Sequence, residues 1–328
     1  MKKIYVVCPA NLKTGGPELL HQLVNLLKSN GVDITIAYFD VTYGKCPIHE
    51  EFRKYVTSWV DLSDVEDNKD NIIIFPETQT LMLYNYNNSK KVIWWLSVDF
   101  WQGFNNADKF LFLKRFVNKL CCQNIFKTYR DSISLADLHL YQSEYAKEYL
   151  GKMGYKSCIP LSDYINDSFF EHEFSVAKED IVLFNPKKGY KFTKKIIDAA
   201  KGEFSFIPIQ NLTTEQVGEL LSRSKVYIDF GNHPGKDRFP REAAISGCCV
   251  ITGKRGAANN QVDVCISEDY KFEDEERCIN RVLEKIRYCI LFYDKAINDF
   301  RNYRYSIMSE KAVFEKQAKA IVEILHKL

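Results

Sequence analysis

Two loops concentrate the side chains of this sequence that could do chemistry. His233, Lys236, Asp237, Arg238 and Arg241 lie in the first, Lys254 and Arg255 in the second. Cations gathered around a histidine and a carboxylate can hold a phosphate-bearing ligand through charge-assisted hydrogen bonds. Glu242, the next residue after Arg241, adds an acceptor group at the same place.

Strands and a helix must position these loops. Residues 226–230 (VYIDF) and 248–252 (CCVIT) have the β-branched and aromatic content of strands. Between them, Pro240 is read as the first residue of a helix, where its missing N–H costs nothing. That reading puts Glu242 in the first turn, favoured by the helix dipole, and Gly247 at the C-terminal stop. Parallel strands joined through a helix bring both loops to the carboxyl end of the sheet, where α/β folds bind ligands.

The same alternation runs along the whole chain. Residues 4–8 read as a strand, 9–16 as a loop ending in Gly15-Gly16, 18–30 as a helix by apolar spacing, and 34–39 as the next strand. Gly15-Gly16 lets backbone approach a ligand at a helix N-terminus, or simply makes a tight turn; no G-x-G-x-x-G dinucleotide pattern is present. Strands at 71–75 and 91–98 each leave the sheet at a carboxylate, Glu77 and Asp99, which could act as a base or face a sugar hydroxyl. The alternative for both is a turn or helix cap. Asp99 sits beside Trp95, Phe100 and Trp101, an aromatic mouth suited to stacking on a sugar ring. Strands at 136–143 and 158–161 complete a first domain, 1–165. His139, alternating with apolar neighbours, reads as a sheet residue rather than a ligand. Polar residues 162–179 form a linker, and a second domain, 178–328, restarts with strands at 180–184 and 204–209. A helix capped by Thr213 and Gln216 leads into the opening stretch, and a strand at 263–267 precedes a mostly helical tail from 277.

A chain of 328 residues, 46% hydrophobic, is enough for two packed domains and excludes a disordered or fibrous protein. With 45 basic against 43 acidic residues there is no global attraction to nucleic acid, so an anion site must be local. The ten cysteines show no CxxC pair or zinc spacing, and Cys121-Cys122 and Cys248-Cys249 sit in apolar runs; they read as small core residues. MKKIYVVCP reads as a first strand rather than a signal peptide, and no run reaches the ~18 apolar residues of a spanning helix. A cytoplasmic protein is expected. One segment points to a partner. Residues 109–127, KFLFLKRFVNKLCCQNIFK, read as a basic, aromatic-rich helix that either lies on an anionic membrane face or packs as an ordinary helix with solvated lysines.

Together these residues resemble a GT-B glycosyltransferase. Lys188-Gly189 is similar to that class's basic donor loop, and PREAAISGCCVITG (240–253) to its P-x-E-A-x-x-x-G-x-P-V-I segment. Gly256-Ala257-Ala258-Asn259 resembles the following loop, Gly15-Gly16 the first-domain glycine loop, and YQSEYAKEYL with IPLS the end of the first domain. The resemblance implies two Rossmann-like domains facing a cleft, with a helical C-terminal tail. It further implies a UDP- or GDP-linked sugar donor, a glycan or lipid-linked acceptor in surface polysaccharide or lipopolysaccharide assembly, and no metal. Glu242 would then meet the ribose. Lys188, Gly189, His233, Lys236, Arg238 and the 256–259 amides would hold the diphosphate. Asp99, Glu77 and Asp237 are the catalytic candidates. Retaining members carry a second Glu eight residues before the ribose Glu; Pro234 stands there, so the stereochemical course stays open. A nucleotide-sugar epimerase or hydrolase, and a non-catalytic nucleotide-sugar binder, are the alternatives.

Overall fold

A computed structural model describes residues 2–121, 123, 125–170 and 177–328. Cys122 and linker residues 171–176 lie outside the described residues. The chain divides into two units, Met1–Asp163 with Ala312–Leu328, and Tyr164–Lys311.

The first unit contains β1 (Lys3–Pro9), α1 (Gly15–Ser29), β2 (Ile34–Phe39), β3 (Trp59–Asp61), β4 (Asn71–Pro76), β5 (Lys90–Trp95), α2 (Val98–Ala107), α3 (Leu111–Cys121), α4 (Tyr129–Ser132), β6 (Leu138–Tyr141), α5 (Glu144–Lys152) and β7 (Cys158–Pro160). Its seven strands are parallel in the order β3-β2-β1-β4-β5-β6-β7. Strands with both faces covered must be apolar throughout, and β4 is buried at every residue. The order reverses between β1 and β4, which opens a crevice at their carboxyl ends.

The second unit runs β8 (Glu179–Phe184), α6 (Tyr190–Ala199), β9 (Ser205–Pro208), α7 (Thr214–Arg223), β10 (Ser224–Asp229), α8 (Arg238–Ile245), β11 (Cys249–Gly253), β12 (Lys271–Phe272), α9 (Ile279–Leu291) and α10 (Tyr293–Ala296). α11 (Arg301–Lys327) follows. Its five strands are parallel in the order β12-β11-β10-β8-β9, and the reversal falls between β8 and β10. Thr213 and Gln216 form the expected capping box on α7.

Three expectations change. The strand read at 91–98 stops at Trp95, because Ser97 caps α2 by accepting from Phe100 N. Residues 263–267 are not a strand; β12 comes later, at Lys271–Phe272. The tail is shared between units, so the domain drawn at 178–328 loses its last residues to the first unit. There Phe314 stacks on Trp94 with ring centroids 6.5 Å apart, and the Gln317 carboxamide oxygen accepts from Ser162 N at 2.7 Å. Among the described cysteines all are free; Cys8, Cys248, Cys249, Cys278 and Cys289 are buried, while Cys46 and Cys121 are exposed.

Candidate functional site

In the second unit, the loops after β8, β10 and β11 emerge side by side at the switch point. They interlock through backbone. Gly189 has φ +58 and an added Cβ would overlap the Phe230 carbonyl and lie 2.7 Å from Gly231 N. Gly256 has φ +63, where its Cβ would overlap the His233 carbonyl oxygen and lie 2.8 Å from the carbonyl carbon. These two glycines therefore answer a close approach as well as a left-handed conformation. Ala257 N–H closes the contact by donating to His233 O at 2.8 Å.

Side chains then charge this frame. Lys188 Nζ lies 2.5 Å from Asp237 Oδ2. His233 is fully buried, with Nδ1 3.0 Å from Asp237 Oδ2 and Nε2 3.7 Å from Asp229 Oδ1. Asp229 in turn accepts from Tyr227 OH at 2.9 Å and Gly231 N at 3.0 Å. Burial pulls the His233 pKa down, but the adjacent charges of Asp229 and Asp237 outweigh it and leave the imidazole above its usual range. Burial pushes Asp237 up, yet His233 and Lys188 prevail and hold its carboxyl below the usual range. The four groups form an alternating chain of charge, Asp229–His233–Asp237–Lys188. Asp229, His233 and Asp237 also bring one ligand atom each within 4.8 Å of one another, a donor set that could hold a divalent cation. Lys188 already supplies positive charge against Asp237, which disfavours a second cation there.

Capture of Asp237 by Lys188 and His233 changes the helix start. Asp237 has extended φ/ψ and makes no side-chain cap, and α8 begins at Arg238. Pro240 is thus the third helical residue rather than the first, and Glu242 falls beyond the first turn. Glu242 is buried on α8. Gly247, at φ +84, does end the helix as expected.

The basic loops are less bare than their sequence suggests. Lys236 pairs with Glu310 at 2.7 Å, Lys254 with Glu268 at 2.7 Å, and Arg255 with Asp274. Arg241 is fully buried, so it is a frame residue and not a ligand-facing cation. Its guanidinium donates to the Asp237 carbonyl at 3.0 Å, the Lys236 carbonyl at 2.7 Å and Glu310 Oε2 at 2.7 Å. Of the 256–259 amides, Ala257's serves His233 and Asn259's donates to Gly256 O at 3.1 Å. Both therefore already have internal acceptors.

In the first unit, Gly15 and Gly16 are the first two residues of α1 rather than part of a loop. A Cβ on Gly16 would make only ordinary contact, 3.7 Å from Leu96 Cδ1, so nothing inside the unit demands glycine there. His21 fixes this helix start. One ring nitrogen donates to Pro17 O at 2.6 Å and the other accepts from Tyr38 OH at 2.5 Å, and burial lowers its pKa to about 4. Asp99 is half-buried in the first turn of α2 and accepts from Tyr145 OH at 2.8 Å. The aromatic mouth is not formed. Trp95 and Trp101 are fully buried against each other, 5.4 Å apart, because α2 turns Trp101 inward; only Phe100 is exposed.

Glu77 sits inside the unit, accepting from Leu96 N at 2.9 Å, which ties the end of β4 to the end of β5. Burial raises its pKa to about 8 despite the hydrogen bonds from backbone N–H groups. A carboxyl closed to solvent, whose burial favours its neutral form, positions the loop; it is not a base open to an acceptor. Because its folded pKa lies above the unfolded value of 4.5, the fold favours the protonated form. Its contribution is full below the unfolded value and is lost as pH rises toward about 8, on the order of 5 kcal/mol in all. Glu77→Gln keeps the acceptor and removes the proton, so the parent's unfolding free energy relative to the variant's should decline across that window. Parallel pH profiles from urea denaturation check this.

Sequence reasoning missed Asp229 and Glu310. Asp229 is the last residue of β10, directly after the apolar and aromatic run Val226, Tyr227 and Ile228. Glu310 interrupts the stripe Tyr303, Ile307, Phe314, Ala318, all buried on α11. A carboxylate at a core-facing helical position is the signal that could have found it.

No protein-family model and no curated protein matches the sequence. Solved structures do match in fold, glycosyltransferases among them. A glycosyltransferase from Rickettsia africae ESF-5 covers 99% of this chain and 98% of its own, at 14% identity and TM-score 0.63. HepE from Anabaena in complex with UDP covers 99% and 100%, at 12% identity and TM-score 0.66. Sucrose-phosphate synthase from Thermosynechococcus elongatus covers 100% of both, at 11% identity and TM-score 0.63. The chain resembles GT-B glycosyltransferases: it has two Rossmann-like α/β domains with a helical C-terminal segment.

Proposed function

We propose that this protein is a metal-independent glycosyltransferase that takes a sugar from a nucleotide donor to a glycan or lipid-linked acceptor in surface polysaccharide or lipopolysaccharide assembly, at the cytoplasmic face. The observation that carries the reading is the switch-point arrangement at β8 and β10: Lys188, set by Asp237, stands among three interlocked loops at the carboxyl ends of neighbouring strands. Sugar transfer leaves a nucleoside diphosphate whose charge must be stabilised as the glycosidic bond breaks. Without a metal, cationic side chains and helix N-terminal N–H groups do this. Lys188, Arg238 and the start of α6 would meet the diphosphate, Gly256 and Ala258 the adjoining donor oxygens, and Glu242 the ribose hydroxyls. HepE was solved with UDP and with UDP-glucose, which supports UDP over GDP as the nucleotide.

Asp99 would receive the proton of the acceptor hydroxyl, with Tyr145 orienting its carboxylate and Gly15-Gly16 leaving room for ligand backbone or sugar. Asp237 acts by holding Lys188 rather than on the sugar. Lys188→Ala should lower turnover about 100-fold or more, the loss typical when one stabilising donor is removed, with a small change in unfolding midpoint. Release of UDP from UDP-sugars in the presence of an acceptor pool measures it; full activity in the variant would remove Lys188 from the site. Pro234, standing where the GT-B resemblance implies a glutamate in retaining enzymes, favours a second reading as a donor-binding protein without transfer. Tight UDP binding with no sugar transfer would select that reading.

A further inference from the structure

We propose that α3 and the exposed residues flanking it dock the protein onto an anionic lipid bilayer, with α3 lying in the interface. Asn118 is the one buried residue on α3; Leu111, Lys114 and Val117 are half-buried and the rest of the helix is exposed. The Asn118 amide donates to Phe126 O at 2.8 Å and accepts from Phe126 N at 2.9 Å, which sets Phe126 beside the helix. With Asn118 turned inward, the opposite side faces solvent, and that side is apolar. At about 100° per residue, Phe112, Phe116, Leu120 and Leu113 fall within one sector roughly 100° wide. Their exposures are 87%, 53%, 68% and 58%. Ile125 and Phe126, also exposed, extend the patch beyond the helix. A soluble surface rarely leaves so many large apolar side chains together unless something covers them.

Charge identifies the occupant. The segment carries Lys109, Lys114, Arg115, Lys119 and Lys127 with no aspartate or glutamate, in a chain whose whole excess is only +2. Lys114 and Arg115 make partly exposed ion pairs with Asp108 and Asp131, contacts of small energy. Arg115 and Lys119 border the apolar sector on one side. Together with Phe112, Phe116 and Asp131, the partner of Arg115, they line a concavity of about 720 Å³, where two cations and one carboxylate share the walls with aromatic rings. An apolar face flanked by cations matches the boundary between acyl chains and anionic headgroups. A second copy of the chain would set five like charges against five, which argues against self-association through this face. No helix among the described residues is long and apolar enough to cross a membrane, so the contact would be peripheral.

The test is co-sedimentation of the full chain with phosphatidylcholine vesicles, with and without phosphatidylglycerol, alongside the triple variant Phe112→Asp/Phe116→Asp/Leu120→Asp. The parent should bind the phosphatidylglycerol vesicles, at least about 10-fold more weakly without the anionic lipid, and the triple variant should partition about 100-fold less. The replaced side chains are exposed, so the variant's unfolding midpoint and UDP affinity should match the parent's. Failure of the parent to bind anionic vesicles, or unchanged binding by the triple variant, overturns the proposal. So does a concentration-dependent dimer that the triple variant abolishes, which would assign the face to a second copy.

Discussion

Gly256→Ala is expected to destabilise the second unit by about 4 kcal/mol, at the extreme of single-residue effects. Two costs add. The backbone stands at φ +63, where a side chain costs roughly 1–2 kcal/mol. The new Cβ would also run into the His233 carbonyl, which is backbone and is held by Ala257 N–H. Relief requires the β10 and β11 loops to separate, which would scatter Lys188, Asp237 and His233. Gly202 is the control. It has φ +83 with nothing within 4 Å of an added Cβ, so Gly202→Ala should carry only the conformational cost of roughly 1–2 kcal/mol. Urea denaturation of the two variants separates these terms. Equal losses would show that close approach of the loops contributes nothing.

The second large effect belongs to the charge network behind the loops. Arg241→Met removes a fully buried guanidinium and leaves the Lys236 and Asp237 carbonyls without their donor; the expected cost is about 3–5 kcal/mol. Glu310→Gln should cost less, because the carboxamide oxygen still accepts from Arg241 or Lys236. In the double variant much of the Arg241→Met loss should already be counted, since removing one partner of a buried pair is worse than removing both charges. A double-mutant cycle on unfolding free energies reads the coupling. Strict additivity would mean that Arg241 and Glu310 act separately, against the 2.7 Å contact.

How much of this was legible in the sequence follows from the range of the interactions. Strands such as 4–8, 71–75 and 226–230 could be read because a parallel sheet covered on both faces must be apolar and β-branched throughout. The β3 strand at Trp59–Asp61 is short and only half-buried, so it carries no such run. The start of α8 was misplaced because local rules favour Pro240 at the first position. The real start depends on Lys188, 49 residues from Asp237, and on Arg241 holding two loop carbonyls. Glu310 is 69 residues from Arg241, beyond any window on the loop itself. The cations of the basic loops were visible, but the carboxylates that engage them were not. The aromatic mouth failed for a related reason: Trp95 and Trp101 were adjacent in sequence terms to Asp99, yet α2 directs Trp101 into the core. Asp99 itself remains at the carboxyl edge of the first sheet, and Lys188 and Gly189 at that of the second, because strand order alone brings them there.

The β8/β10 switch point of the second unit is the proposed site for a nucleoside diphosphate. Isothermal titration of UDP, UDP-glucose and GDP into the full chain, and into Glu242→Gln and Lys188→Ala, tests it most directly. Saturable binding of a nucleoside diphosphate by the parent is expected, with at least about 10-fold weaker binding by each variant, corresponding to roughly 1.4 kcal/mol or more. Absence of binding to all three ligands, or affinities in both variants equal to the parent's, would contradict it.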